Sequence, residues 1–227
     1  MHGKVKLTKR EIKEDKFATF ILTIRDQFME NWQYAAIGVA ALILIVAAVV
    51  YYFSSQSSAN VEAAEKLATA QMDYRSGNTQ VAIMSLTQIA DEASGPTSKE
   101  AMFLLGKVNF DAKNYPEAIR FWEQFAAKYS DDPFMKSSAL GGIATAYENQ
   151  GQFAEAAAKY NEAAAAYDKG PSVGEYHFGA MRCYLQLGDK AKAQTSLEQV
   201  TATSPGTSLE TRAKRYHAEK DPTAGRS

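Results

Sequence analysis

Small residues return at a near-fixed distance along this chain. Ala82, Ala118, Ala156 and Ala193 stand 36 to 38 positions apart. Each sits in a similar stretch: Gly77-Asn78-Thr79-Gln80-Val81-Ala82, Asn114-Tyr115-Pro116-Glu117-Ala118, Gly151-Gln152-Phe153-Ala154-Glu155-Ala156 and Gly188-Asp189-Lys190-Ala191-Lys192-Ala193. A turn residue comes first, then the start of a helix. Self-similarity of this kind restricts the fold severely. Each unit is one hairpin that cannot bury its apolar side alone, so only a stack of neighbours can form a core. The alanines allow helix axes to approach to the low end of about 8–10 Å, and larger residues fill the grooves between hairpins.

The fullest copy reads Leu140, Ile143, Ala144, Tyr147, Gly151, Phe153, Ala156, Tyr160 and Ala163. The copy before it keeps Met102, Leu105, Gly106, Tyr115, Ala118 and Trp122, then departs at Asn109 and Phe125. The last keeps Tyr184, Gly188, Ala193, Leu197, Val200 and Pro205, with His177 and Met181 at other signature positions. The first keeps Ala70, Gly77, Ala82, Leu86 and Ile89. With these residues the chain resembles the tetratricopeptide repeat (TPR) family. The resemblance implies an all-α solenoid of about four hairpins, near 60–94, 97–131, 135–169 and 173–204, within a repeat domain at 54–219. A capping helix is expected at 207–219, whose Arg212, Lys214 and Arg215 suit a solvated end. A disordered tail is expected at 220–227.

Ahead of the repeats, the nineteen residues from Ala35 to Phe53 carry no charge and no strongly polar group. As a helix they would rise about 28 Å at roughly 1.5 Å per residue, close to a hydrocarbon core of about 30 Å. Trp32, Tyr34, Tyr51 and Tyr52 flank the run with rings suited to a headgroup boundary. The expectation is one transmembrane helix at 34–53, retained rather than cleaved, because a long charged segment precedes it and Ser57-Ser58-Ala59 makes a poor cleavage site. Lys4, Lys6, Lys9, Arg10, Lys13, Lys16 and Arg25 precede the run, whereas Lys66 and Arg75 are the first basic residues after it. That bias places the N-terminus in the cytoplasm and the repeats outside it.

Residues 1–33 form an expected cytoplasmic segment. Thr8 and Glu11 make a capping box. Phe17, Phe20, Ile21, Ile24 and Phe28 then recur at spacings of three and four, which draws one apolar stripe on a helix. The stripe reads as a membrane-surface or partner-docking face, with a solvated extension of the span as the alternative. The whole layout resembles bacterial inner-membrane proteins with one span and a periplasmic repeat domain, of the kind of the ancillary TPR subunit of the protein translocon.

In the TPR family the first helix of each hairpin lines a binding groove. Position by position, the resemblance puts Tyr74, Phe103, Lys107, Phe110, Phe178 and Arg182 there, with Asp111, Thr145 and Glu148 beside them. The aromatics would hold apolar side chains and the two cations would pair with carboxylates. Phe110 is equally readable as core, since Asn109 takes the expected aromatic position.

The same residues argue against other functions. Net charge is −1, which disfavours nucleic acid. The single Cys183 allows no intramolecular disulfide, and no Cys/His set has zinc spacing. His2, His177 and His217 are scattered, with no phosphate-cradling loop or nucleophile elbow. The expectation is a non-enzymatic protein that needs no cofactor, metal or small-molecule substrate. Its partners would be the lipid bilayer, other proteins and further copies of itself. Two functions stay open: a membrane-anchored scaffold or chaperone-like adaptor, or an accessory subunit of a large membrane complex held through the span and the N-terminal stripe.

Overall fold

A computed structural model describes Phe20, Leu22 and residues 32–221. The chain divides into two compact units, Met1–Ser58 and Ala59–Ser227. Among the described residues the regular elements are all α-helices: α1 (Trp32–Arg75), α2 (Thr79–Glu92), α3 (Gly95–Asp111), α4 (Tyr115–Lys128), α5 (Pro133–Asn149), α6 (Phe153–Ala166), α7 (Val173–Gln186), α8 (Lys190–Thr203) and α9 (Ser208–Lys220).

In the first unit, residues 34–53 are helical throughout, within α1. Ile37, Leu42, Leu44 and Val50 are all at least 60% exposed, although no face of the helix is polar there. No helix among the described residues is long and apolar enough to cross a membrane. The helix does not stop at Phe53. Ser54-Ser55-Gln56-Ser57-Ser58 holds neither proline nor glycine, so nothing in it breaks the backbone pattern. Of the stripe expected at 17–28, Phe20 is described and exposed; Phe17, Ile21, Ile24 and Phe28 lie outside the described residues, as does the tail from Pro222.

The second unit is a stack of helical hairpins. The end of α1 pairs with α2, and then come α3/α4, α5/α6 and α7/α8. Successive first helices touch one another, α3 with α5 and α5 with α7, whereas the second helices α2, α4, α6 and α8 do not. The first helices therefore lie on the inner side of the stack. The last helix, α9, contacts both α7 and α8 and stands where a next first helix would.

The hairpin alanines sit at the closest approaches: Ala82, Ala118, Ala156 and Ala193 are wholly buried. Each hairpin turn closes with the same bond, from the backbone N–H of the third residue beyond the helix to the carbonyl five positions back. These are Asn78 to Asp73 (2.9 Å), Asn114 to Asn109 (2.8 Å), Gln152 to Tyr147 (2.9 Å) and Asp189 to Tyr184 (2.9 Å). Such a turn needs one residue with positive φ. Gly77, Gly151 and Gly188 supply it, and Lys113 does so in the second hairpin, at φ 60°.

Trp122 of α4 is the largest residue of the central core. It rests between two glycines on neighbouring first helices. A Cβ on Gly106 would stand 2.4 Å from its Nε1, and one on Gly142 would stand 2.7 Å from its Cζ3. Its indole N–H donates to the Phe103 carbonyl at 3.2 Å. Asn109, buried where an aromatic is usual, donates to the Leu105 carbonyl and accepts from Asn114, so its amide is satisfied inside the hairpin.

Candidate functional site

The row of first helices forms the candidate groove, and two polar clusters tie it together across repeats. Near the N-terminal end, Tyr74 of α1 donates its hydroxyl to Asp111 of α3. Lys107, one turn before Asp111, bonds the same carboxylate at 2.8 Å and reaches the Tyr74 hydroxyl at 3.4 Å. Its ammonium also lies 5.8 Å from the Tyr74 ring centroid. Burial raises the Tyr74 phenol above its usual range. For Asp111, burial pushes the carboxyl upward, but the hydrogen bonds from Lys107 and Tyr74 outweigh it and hold the group low.

Further along, Arg182 of α7 grips Glu148 of α5 with two bonds, at 2.9 and 2.7 Å. The fork geometry makes this the stronger kind of ion pair. Tyr160 of α6 donates to the same carboxylate at 2.7 Å. Burial pushes the Tyr160 phenol far up. Burial by itself would lower the Arg182 guanidinium, and Glu148 more than reverses that. Both groups keep their ordinary charge state at neutral pH, phenol protonated and guanidinium charged.

The sequence expectations for this face divide. Tyr74, Lys107 and Arg182 lie in these clusters. The phenylalanines do not stand free in a groove. Phe103 packs edge-on against Phe125 at 5.3 Å and tilts over Trp122 at 6.4 Å. Phe110 contacts Tyr115 at 5.5 Å and Trp122 at 5.9 Å. Phe178 is only 5% exposed. It lies between two guanidinium groups, Arg182 at 4.8 Å and Arg212 at 4.7 Å, with Tyr216 edge-on at 5.9 Å. Arg212 and Tyr216 belong to α9, so the capping helix covers the end of the face. Arg212 is fixed in turn by two bonds to Glu175. Helical spacing assigns Phe178 to a first helix but does not reveal what the cap lays over it. Cys183 is buried, and burial raises its thiol to about 12, so it carries no thiolate at neutral pH.

A family model described as tetratricopeptide repeat matches residues 62–133 and 142–206, together more than half of the chain. The chain belongs to the tetratricopeptide repeat family. Solved structures align over about 70% of the chain. A tetratricopeptide repeat protein from Parabacteroides merdae aligns over 70% of this chain and 59% of its own, at 15% identity and a TM-score of 0.58. Aspartyl phosphate phosphatase F from Bacillus subtilis aligns over 70% of this chain and 44% of its own, at 18% identity and a TM-score of 0.59. A protein of nearly identical TPR-like repeats from Podosopora anserina aligns over 71% and 86%, at 19% identity and a TM-score of 0.56. At such identities the TPR fold is what is shared. No curated protein matches the chain.

Proposed function

We propose that this TPR chain is a membrane-anchored protein-interaction scaffold whose first-helix face receives segments of other proteins. One observation carries the reading. The Tyr74–Lys107–Asp111 cluster joins the first two hairpins and the Tyr160–Glu148–Arg182 cluster the last two, so the polar groups of each pair are held in a fixed arrangement. A surface pre-arranged in this way loses little conformational freedom when it binds. The anchor is residues 34–53, supported by the nineteen-residue uncharged run and its aromatic flanks. The basic bias of residues 4–25 orients the reading further: N-terminus in the cytoplasm, repeats on the extracytoplasmic face of a bacterial inner membrane. The reading is non-enzymatic.

The test is purification of the full chain from native membranes, with partners identified by mass spectrometry. A double variant, Tyr74→Ala with Lys107→Ala, should reduce partner recovery at least tenfold while circular dichroism stays unchanged. Undiminished recovery would remove the first-helix face as the site. Protease added outside sealed spheroplasts should digest the repeats and spare the N-terminal segment; the opposite pattern would reverse the orientation.

A second reading is favoured by the first unit. Helix residues 36–51 present apolar side chains on every side, with none buried in the unit itself. As a fixed subunit of a membrane complex, the chain would make its main contacts there. In that case one complex co-purifies in stoichiometric amount, and the double variant leaves it intact.

A further inference from the structure

On the outer side of the stack, the second helices α6 and α8 stand apart over α7. Between them lies an open slot of about 500 Å³. Asn161 and Asp168 border it from the α6 side, Lys192 and Gln199 from α8, and His177 and Tyr184 of α7 form its floor. Asn161 donates to the Tyr184 hydroxyl at 2.9 Å, and the Lys192 ammonium lies 5.5 Å from the Tyr184 ring centroid. These three mark one end. Asp168, in the turn just beyond the C-terminal end of α6, marks the other.

One charge here is left without a protein partner, unlike those of the first-helix clusters, which neutralise one another. Asp168 is exposed and has no ion-pair or hydrogen-bond partner among the described residues. His177, which lines the slot, has its Nδ1 buried without a partner. Thr195 and Thr203, also in the wall, donate to carbonyls of their own helix and keep lone pairs free. Gln199 has both an amide donor and an acceptor to offer.

We propose that this slot binds an extended polypeptide segment of about four residues, with a cationic residue beside Asp168. The length follows from the walls. The span from 192 to 203 rises about 16 Å on a helix, which takes roughly four to five extended residues at about 3.3 Å each. The mixed donors and acceptors match a peptide backbone, which alternates N–H and C=O. A multiply charged anion would find one cation, Lys192, already paired with Asp189 at 3.0 Å.

The test uses the full chain in detergent micelles and two blocked peptides, acetyl-Arg-Ala-Ser-Ala-amide and acetyl-Asp-Ala-Ser-Ala-amide. The chain has three histidines, so its histidine ring C–H spectrum is simple, and His177→Gln assigns the signal. The arginine peptide should shift the His177 signal saturably and leave His2 and His217 in place, with the aspartate peptide at least tenfold weaker. Ala165→Trp, at an exposed wall position, should abolish the shift without changing the melting temperature. Asp168→Asn should erase the preference between the peptides. No saturable shift up to about 10 mM peptide, or one that survives Ala165→Trp, would overturn the proposal. So would a shift that follows protein concentration without peptide, which would assign the slot to a second copy. Tyr74→Ala with Lys107→Ala should leave the titration unchanged, so this result and that of the first-helix face fall separately.

Discussion

Lys113 stands where the other three hairpins place glycine. Its φ of 60° is left-handed, a region that costs a residue with a Cβ about 1–2 kcal/mol. Glycine would relieve that cost and give back roughly 0.5–1 kcal/mol of unfolded-state entropy. Lys113→Gly should therefore stabilise the chain by about 0.5 kcal/mol, raising the melting temperature by roughly 1–2 °C. Thermal unfolding followed by circular dichroism measures it, and a lowered melting temperature would mean that the lysine side chain makes a compensating contact. The turn itself was legible: asparagine and proline around Lys113 read as a hairpin turn without any glycine. Its strain was not, because it depends on a dihedral angle, and lysine gives no sign of one.

Between elements, what counts is which side chain fills the gap between paired helices. Ala156 is wholly buried in the cluster that joins α5, α6 and α7. Ala156→Leu should overpack this contact at a cost of about 1–3 kcal/mol, read as a lower midpoint in urea at unchanged slope. An unchanged midpoint would show that the gap accommodates three more carbons. The alanine repeat made these contacts readable from sequence, since only small residues suit facing sites at that period. The aromatics were less readable. Phe178 falls on a first helix by spacing, yet Arg212 and Tyr216 cover it from α9, an element outside the repeat pattern. Phe103 and Phe110 turn toward Trp122, and that follows from the glycines at 106 and 142, which let the indole in. A repeat signature records conserved spacing within hairpins; contacts made once, at the end of a stack, leave no periodic trace. The same limit hid the slot between α6 and α8, since Asp168 belongs to no recurring set and His177 departs from the residue type of its signature position.

For the molecule as a whole, the repeat architecture was the clearest message of the sequence, and the family match over 62–133 and 142–206 agrees with it. The apolar run at 35–53 was equally plain as composition. The sequence bounds an expected span at 34–53, whereas the helix runs over Trp32–Arg75. On the inner face, the sequence expects Lys107 and Arg182 to pair with carboxylates of a bound partner. Both are already matched, by Asp111 and Glu148. That matching has a kinetic consequence. A face whose charges cancel locally casts little field into solvent, so it cannot steer a partner from a distance. Association there should run at the unassisted rate, on the order of 10⁵–10⁶ M⁻¹s⁻¹. In stopped-flow measurements, raising the salt from 50 to 500 mM should change that rate less than threefold; a tenfold fall would mean that the ion pairs open before the partner arrives.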